Sequence, residues 1–172
     1  MGLFDFMKNK KPEAAPVEVK CEPGTLYLPV GGKVIPLQEI NDGVFSDGVL
    51  GPGCGIIPKE ETVYAPAGGT VCQVAETLHA VGVRTEDGAE VLIHVGMDTV
   101  EMNGEGFTAL VKQDQKVCCG DPLMKFSMDK IKAAGHPVTT AFIVTNPDEF
   151  AEISVIHEGD AEKLSPVIRI RK

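Results

Sequence analysis

Short runs of β-branched and aromatic residues alternate along the chain with clusters of Gly, Pro, Asn and Asp. Such runs, bounded by turn residues, are typical of β-strands. The predicted strands include TLYLPV, TVYAP, GTVCQVAE, HAVGVRT, AEVLIHV, PLMKFS, VTTAFIV and PVIRIR. The pattern therefore predicts an all-β domain.

A single segment, SMDKIKAAG, has the composition of a helix. Its residues are good helix formers, and Gly135 followed by Pro137 is a common way for a helix to end. We expect one or two short helices in an otherwise β-sheet protein.

A nine-residue pattern occurs twice near the N-terminus, as LYLPVGGKV (26–34) and VYAPAGGTV (63–71). Both copies place a proline and a Gly-Gly pair before a valine strand, which suits a sharp corner between two sheets. Two copies are too few for a solenoid. The repeat instead predicts a sandwich or flattened barrel with internal pseudo-symmetry.

The first twenty residues differ from the rest and predict a flexible tail, followed by one domain over residues 21–172. Leu3, Phe4 and Met7 would share one side of a short helix, and a Pro- and Ala-containing linker follows. Two interpretations of residues 1–11 stay open: a disordered tail, or an amphipathic segment that makes weak contact with a membrane surface.

Composition narrows the functional classes. The chain has 172 residues and a net charge of −9, with the basic residues scattered, so a nucleic-acid partner is not expected. Apolar runs stay below the roughly 18–20 residues of a membrane span. These features predict a cytoplasmic location.

The five cysteines form an odd set without a CxxC pair. This pattern argues against a disulfide framework and against a zinc-thiolate site, and it fits a reducing compartment. The adjacent Cys118 and Cys119 occur where a strand ends in a turn, and a packing role is the expected one.

Two of the four histidines fall in neighbouring predicted strands, HAVGVRT and AEVLIHV, joined by Asp87-Gly88. An Asp-Gly pair between β-branched runs favours a hairpin, here with a two-residue or four-residue loop. Either loop sets His94 opposite Val81 and puts His79 on the same face as His94. The pattern predicts that two imidazoles lie side by side.

Paired imidazoles are compatible with three chemistries. A zinc hydrolase needs three protein ligands, which His79, His94 and Asp98 would supply, but no HExxH run or further general base accompanies them. A nucleophilic serine would need a Gly-x-Ser-x-Gly turn, which is absent. Phosphoryl transfer needs less, because a neutral imidazole is already nucleophilic and a second ring can donate hydrogen bonds to phosphoryl oxygens.

Several segments closely resemble one protein family. They are VYAPAGGTV, ETLHAVGVRTEDGAEVLIHVGMDTVEMNGEGF, GDPLMKF and SPVIRIRK. The family is the glucose-family enzyme IIA of the bacterial phosphoenolpyruvate-dependent sugar phosphotransferase system, and the likeness covers about residues 22–172. It implies an antiparallel β-sandwich of duplicated barrel-sandwich-hybrid type that serves as a phosphocarrier domain and requires no cofactor.

The resemblance also implies roles for four site residues. His94 corresponds to the histidine that accepts a phosphoryl group from the carrier protein HPr and passes it to a cysteine of a IIB domain. His79 corresponds to the histidine that stabilises this group, and Thr77 to the threonine that bonds the second ring. The backbone carbonyl of Gly96 is expected to hold the non-attacking nitrogen of His94.

Docking residues follow from the same resemblance. Phe45, Val49 and Leu50 match an apolar rim on which partners dock, and Asp42 and Asp98 match acidic residues that meet an arginine of the phosphate donor. A regulatory role toward other proteins is compatible with this activity. Some family members also bind zinc through the two histidines and a partner's carboxylate, so His79 and His94 are a conditional metal site.

Two alternative functions stay open at this point. KVCCGDPLMKFSMDKI resembles part of a lipoyl- or biotinyl-carrier module, in which Lys130 would be the modified lysine. The other alternative is a zinc-dependent hydrolase of related fold.

Overall fold

A computed structural model describes residues 15–172 of the chain. The segment predicted to contact a membrane, residues 1–11, lies outside this part. Residues 15–20, predicted to belong to the tail, lie against the domain: Val17 and Val19 pack against the side chains of Tyr27, Tyr64 and Leu164. Within residues 15–172, no helix is long and apolar enough to span a bilayer.

The described residues form fourteen β-strands and one short α-helix, which confirms the predicted all-β class. The strands are β1 (Thr25–Tyr27), β2 (Gly32–Pro36), β3 (Gly53–Pro58), β4 (Thr62–Tyr64), β5 (Gly69–Val74), β6 (Ala80–Thr85), β7 (Glu90–His94), β8 (Phe107–Ala109), β9 (Lys116–Val117), β10 (Pro122–Phe126), β11 (Thr140–Val144), β12 (Glu152–Val155), β13 (Gly159–Ala161) and β14 (Pro166–Arg171). The helix α1 (Met128–Ala133) begins at Ser127, whose side chain accepts a hydrogen bond from the Lys130 N–H group.

The strands form three antiparallel sheets. The largest has eight strands in the order β13-β2-β3-β11-β7-β6-β5-β9, and two three-stranded sheets have the orders β1-β14-β12 and β4-β10-β8. Several strands, among them β3, were not predicted. The β3 sequence GCGIIP reads as a turn because Gly and Pro are frequent in it. However, a Cβ atom at Gly53 would meet the backbone of the neighbouring strand, and one at Gly55 would meet the packed side chains of Ile35 and Ile40.

The sequence repeat corresponds to a structural duplication. Tyr27 donates its backbone N–H to the Pro66 carbonyl (2.9 Å), and Tyr64 donates its own to the Pro29 carbonyl (2.7 Å). In the same way, Tyr27 pairs across strands with Pro166, and Tyr64 with Pro122. These reciprocal contacts relate the two halves by a pseudo-twofold axis, as the repeat predicts.

The axis passes between the two central strands of the large sheet, β11 and β7. On one side of it lie β3, β2 and β13, and on the other side their counterparts β6, β5 and β9. Val34 pairs with Ile56 in one half as Val71 pairs with Val83 in the other. The same symmetry applies to the next pair of strands, β11 and β7. Ile143 pairs with Gly53 on β3 as His94 pairs with Ala80 on β6, so Ile143 is the counterpart of His94.

The main core lies between the large sheet and the two small ones. In β6 and β7, the side chains of Val81, Val83, Val91 and Ile93 point into this core. The alternate positions of these strands, including Leu92 and His94, therefore face the outside of the large sheet. A second, smaller apolar cluster covers this outer face.

A disulfide links Cys21 to Cys119, so the expectation of a chain without disulfides is wrong. Cys21 precedes β1, and Cys119 lies in the turn between β9 and β10. The odd number of cysteines and the lack of a CxxC pair could not exclude a bond between residues 98 positions apart, because the sheet topology brings them together. The cysteines therefore no longer support a reducing compartment.

Gly32 and Gly69 are equivalent in the two halves, and both positions require a residue without a side chain. A Cβ atom at Gly69 would overlap the backbone carbonyl of Arg84, and one at Gly32 would overlap that of Ile57. We expect Gly69→Ala to lower the free energy of unfolding by about 2 kcal/mol, because backbone of a paired strand must move. Urea denaturation measures this change.

Gly68 provides the matched control for this substitution. A Cβ atom there would meet only the flexible side chain of Glu86, at 3.4 Å. Gly68→Ala should therefore change the free energy of unfolding by less than about 0.5 kcal/mol. Equal losses for the two alanine variants would contradict the proposed role of close strand contact.

Candidate functional site

His94 lies at the end of β7 on the outer face of the large sheet. Its neighbours across the two adjacent strands are Ala80 on β6 and Ala141 on β11. Both neighbours have small side chains. The ring is half-buried.

His79 is the residue immediately before β6, and its ring lies next to that of His94. Its backbone carbonyl accepts a hydrogen bond from the Val95 N–H group (2.8 Å). The two imidazole centroids are 4.7 Å apart, and the ring planes are nearly perpendicular, at 82°. The two rings are therefore adjacent, as the sequence predicted.

The hairpin that joins the histidines differs from the predicted one. Thr85 donates its N–H to the Ala89 carbonyl (2.8 Å), so the loop has three residues, and Gly88 has a positive φ of 90°. This is the geometry of a three-residue loop with a glycine bulge. It pairs His94 with Ala80, so the predicted pairing with Val81 is wrong by one residue.

In this register, strict alternation would turn His79 away from His94. The alternation does not extend to His79 because this residue lies outside the strand. Leu78, just before it, has a left-handed backbone with φ of 61°. The irregular backbone redirects the chain, and the His79 ring comes to lie between His94 and Phe107, whose ring centroid is 6.5 Å away.

A backbone carbonyl fixes the protonation of His94. The Nδ1 atom lies 2.9 Å from the Gly96 oxygen. Because a carbonyl oxygen can only accept, Nδ1 carries the proton in the neutral ring, and the lone pair is on Nε2. His94 therefore presents a nucleophilic nitrogen.

A hydroxyl group orients His79 in a similar way. Thr77 Oγ1 lies 2.7 Å from His79 Nδ1. When the hydroxyl donates to Nδ1, the proton of the neutral ring is on Nε2, which then serves as a hydrogen-bond donor. The two rings thus offer complementary groups, an acceptor nitrogen on His94 and a donor on His79.

Gly96 has a backbone that other residues rarely adopt. Its φ is +75°, and a Cβ atom there would collide with the Thr99 side chain and approach the Pro137 carbonyl to 3.0 Å. Thr99 is itself held by a hydrogen bond from Oγ1 to the Val95 carbonyl (2.6 Å). Glycine is thus required to aim this carbonyl at His94.

Burial keeps both rings uncharged. It lowers the pKa of His94 to about 4, with a further contribution from the adjacent His79 ring, and the Gly96 carbonyl and Asp42 oppose the shift in part. Burial also lowers the pKa of His79. Near pH 7 both imidazoles are therefore neutral, and the Nε2 lone pair of His94 is available.

Apolar side chains surround the His94 ring. The Phe45 ring is 4.9 Å from it, centroid to centroid, at an interplanar angle of 55°. Phe45 is buried, whereas Val49 is 74% exposed and Leu50 is also exposed. Phe45 and Ala141, the neighbour of His94 on β11, belong to the outer-face cluster, which also contains Leu37, Ile40, Met97, Ile143 and the half-buried Leu92.

The two acidic residues of the predicted docking surface have different environments. The Asp42 carboxylate accepts hydrogen bonds from the N–H groups of Val44, Phe45 and Ser46, and so shapes the turn that carries the aromatic ring. Partial burial acts to raise the pKa of Asp42, but these donors together lower it. Asp98 is exposed, with a positive φ of 60°.

The described residues contain no group of three or more His, Cys, Asp or Glu side chains that could hold a metal ion. The two imidazoles supply two ligands, whereas even a catalytic zinc site takes three from protein. Asp98, the suggested third ligand of a hydrolase, does not join them in such a group. A metal would therefore need ligands from another molecule.

Sequence analysis did not identify the small neighbours of His94, Ala80 and Ala141, nor the contact of Met97 with the outer-face cluster. Ala80 was missed because the predicted register was shifted by one residue. Ala141 belongs to β11, far from His94 in the sequence, so no local pattern indicates this pairing.

Comparison with known families identifies the chain. Residues 24–150 match the family described as phosphoenolpyruvate-dependent sugar phosphotransferase system, EIIA 1. The chain belongs to this family. It is a glucose-type EIIA and a component of that phosphotransferase system, which confirms the resemblance noted from the sequence.

Curated relatives are longer multidomain proteins. The beta-glucoside-specific EIIBCA component of Bacillus subtilis is 47% identical over 126 residues, which are 73% of this chain and 21% of that protein. The mannose-specific EIIBCA component of Corynebacterium glutamicum is 42% identical over 160 residues, which are 93% of this chain and 23% of that protein. The EIIA therefore spans less than a quarter of these relatives.

A solved structure of a separate IIA matches more completely. Glucose permease IIA from Mycoplasma capricolum superimposes with a TM-score of 0.76 at 31% identity, over 84% of this chain and 93% of that one. The match confirms the predicted β-sandwich. Neither the lipoyl- or biotinyl-carrier alternative nor the zinc-hydrolase alternative is supported, and Lys130 is on helix α1 rather than at a hairpin tip.

The electrostatic coupling of the two rings can be measured by NMR titration of the imidazole nitrogens. We expect a midpoint near 4 for His94 in the EIIA, with the proton of the neutral ring on Nδ1. His79→Gln should raise this midpoint, because it removes a ring that disfavours a positive charge on His94. His157→Gln, a control outside the site, should leave it unchanged.

A midpoint at or above 6.5 in the unchanged protein would contradict the burial of a neutral His94. So would a tautomer protonated on Nε2.

Proposed function

We propose that this EIIA accepts a phosphoryl group from HPr on Nε2 of His94 and passes it to a cysteine of a IIB domain, as a step of sugar uptake. The observation that carries the proposal is the hydrogen bond from His94 Nδ1 to the Gly96 carbonyl, which leaves Nε2 unprotonated. The EIIBCA names of the curated relatives, in which IIA and IIB parts occur together, support a IIB partner.

The transfer is an in-line displacement at phosphorus. The Nε2 lone pair of His94 forms the new N–P bond while the N–P bond of the donor phosphohistidine breaks, and its electron pair returns to the donor ring. Positive charge develops on the His94 imidazole, and the Gly96 carbonyl dipole next to Nδ1 stabilises it. Positioning and charge stabilisation account for most of the catalysis.

His79 is assigned to the phosphoryl oxygens. Its Nε2–H can donate to them because the Thr77 hydroxyl occupies Nδ1, at 2.7 Å. The distance of 4.7 Å between the two ring centroids supports this assignment. A charge-assisted hydrogen bond of this kind stabilises the added negative charge.

The apolar rim is assigned to partner docking. Val49 and Leu50 are large exposed apolar residues on the segment that follows Phe45. Asp42 and Asp98 would meet an arginine of the phosphate donor, with Asp98 the more accessible of the two. Phosphorylation places a dianionic group within this apolar surface, and a regulatory role toward further proteins would use the same change.

Three further assignments complete the proposal. The functional unit is the single domain over residues 21–172, and it acts in the cytoplasm, where phosphoryl transfer to a permease takes place. No cofactor takes part in the transfer. The pair His79 and His94 binds zinc only when a partner supplies a carboxylate, because two imidazoles do not complete a zinc site.

Substitution of each histidine separates the two half-reactions. We expect His94→Gln to abolish phosphate acceptance from HPr, because no nucleophile remains. His79→Gln should still accept the phosphoryl group but should pass it to a IIB domain roughly 100-fold more slowly, because the oxygens lose their donor. Radiolabelled transfer from HPr, followed by addition of IIB, measures both steps. Normal onward transfer by His79→Gln would remove this residue from its role.

The orienting role of Thr77 has its own matched pair of variants. Thr77→Val removes the hydroxyl at nearly constant shape and should slow onward transfer roughly tenfold, whereas Thr77→Ser keeps the hydroxyl and should restore most of the rate. Circular dichroism and urea denaturation control for folding. Equal rates for the two variants would show that the hydroxyl does not act on His79.

A further inference from the structure

Three cysteines come together at a distance from the histidines. The disulfide between Cys21 and Cys119 is half-buried, and the next residue, Cys118, is an exposed free thiol. Cys21 and Cys119 contact a small apolar cluster formed by Tyr27, Tyr64 and Leu164. This cluster is separate from the cluster around His94.

The disulfide ties residues 15–21 covalently to the β-sheet body. A backbone hydrogen bond also holds this segment, from the Val17 N–H group to the Gly120 carbonyl (3.0 Å). The half-buried side chains of Val17 and Val19 add contacts with the apolar cluster. A segment with so few contacts has little local stability of its own, so a covalent bond at its end decides where it lies.

One cysteine of the disulfide, Cys119, lines an open cleft. An open cleft of about 570 Å³ lies between residues 16–20 and the turn that contains Cys118 and Cys119. A disulfide at the wall of an open cleft is accessible to an attacking thiolate, unlike one enclosed in a core. By contrast, the free thiol of Cys54 on β3 is buried in the core, and burial raises its pKa to about 12.

We propose that Cys21 and Cys119 form a thiol–disulfide exchange site that holds residues 15–21 on the β-sheet body when oxidised and releases them when reduced. The reacting partner is a dithiol/disulfide couple, of small-molecule or protein origin. Reduction frees residues 15–21 from the β-sheet body, while the site at His94 stays as it is.

The reaction is balanced by the couple itself. A thiolate of the dithiol attacks one sulfur of the pair, the bond between Cys21 and Cys119 breaks, and the displaced sulfur leaves as a thiolate that takes up a proton. The second thiol of the reductant then attacks the mixed disulfide and frees the other cysteine. The protein gains two electrons and two protons, and the dithiol becomes a disulfide. Reoxidation by a disulfide reverses these steps.

Limited trypsin digestion at Lys20 reports the position of the segment. Lys20 is exposed and directly precedes Cys21. Trypsin can cleave the bond between them only when this segment detaches from the domain and binds in the protease active site. The full chain is prepared in two states, oxidised with glutathione disulfide or reduced with dithiothreitol and alkylated, and reagents are removed before digestion. We expect cleavage after Lys20 to be at least roughly tenfold faster in the reduced state. Cleavage after Lys112, on an exposed turn, should be unchanged.

Variants distinguish this cysteine pair from its neighbour. Cys119→Ser, which needs no alkylation, should be cleaved at the fast rate under both conditions. Cys118→Ser keeps the bond and should behave like the unchanged protein. Alkylation of the native protein should gain two thiols on reduction, and glutathione disulfide should remove them again.

Three results would overturn the proposal. One is an equal cleavage rate at Lys20 in the two states of the unchanged protein. Another is a full set of free thiols after treatment with glutathione disulfide, which would mean that the bond does not form. The third is loss of redox dependence in Cys118→Ser. Phosphate acceptance from HPr should be the same in both states, so failure of this proposal and failure of the phosphocarrier assignment are separate outcomes.

Discussion

The hydrogen bond between His94 Nδ1 and the Gly96 carbonyl is the interaction on which the rest of the site depends. It fixes which nitrogen carries the proton, and therefore which nitrogen can react. Its geometry needs a left-handed backbone at Gly96 and the anchoring of the following residues through Thr99 and Pro137. The loop after β7 thus determines the chemistry of a side chain that β7 itself carries.

The surroundings of the histidines serve two purposes at once. Apolar contacts around His94 lower its pKa to about 4 and keep the nucleophile unprotonated. For a phosphoryl group on His94, as proposed, the same side chains would exclude water and limit hydrolysis. A more polar surface would weaken both effects, because it would stabilise the imidazolium ion and admit water. In the proposed function, the apolar rim thus serves the transfer as well as partner docking.

Much of the fold and the adjacency of the His79 and His94 rings could be predicted from the sequence, but the exact strand pairing could not. The repeat around Tyr27 and Tyr64 predicted the duplication, because both copies have the same Pro and Gly-Gly pattern and make reciprocal backbone contacts. The hairpin register was wrong because Asp-Gly fits loops of several lengths, and the observed bulge shifts the pairing by one residue. The disulfide was missed because it depends on long-range topology, to which local cysteine spacing is insensitive.

The pseudo-twofold axis has a consequence for the asymmetry of the site. His94 and its counterpart Ile143 lie on adjacent strands at the centre of the large sheet, so the two halves meet where the reaction takes place. One half supplies the imidazole, and the other supplies part of the aliphatic wall next to it. Exact symmetry would place a second histidine at position 143. A polar ring there would make the surroundings of His94 more hydrophilic. For the proposed transfer, the two copies must therefore differ at this pair of positions, and neither half can replace the other.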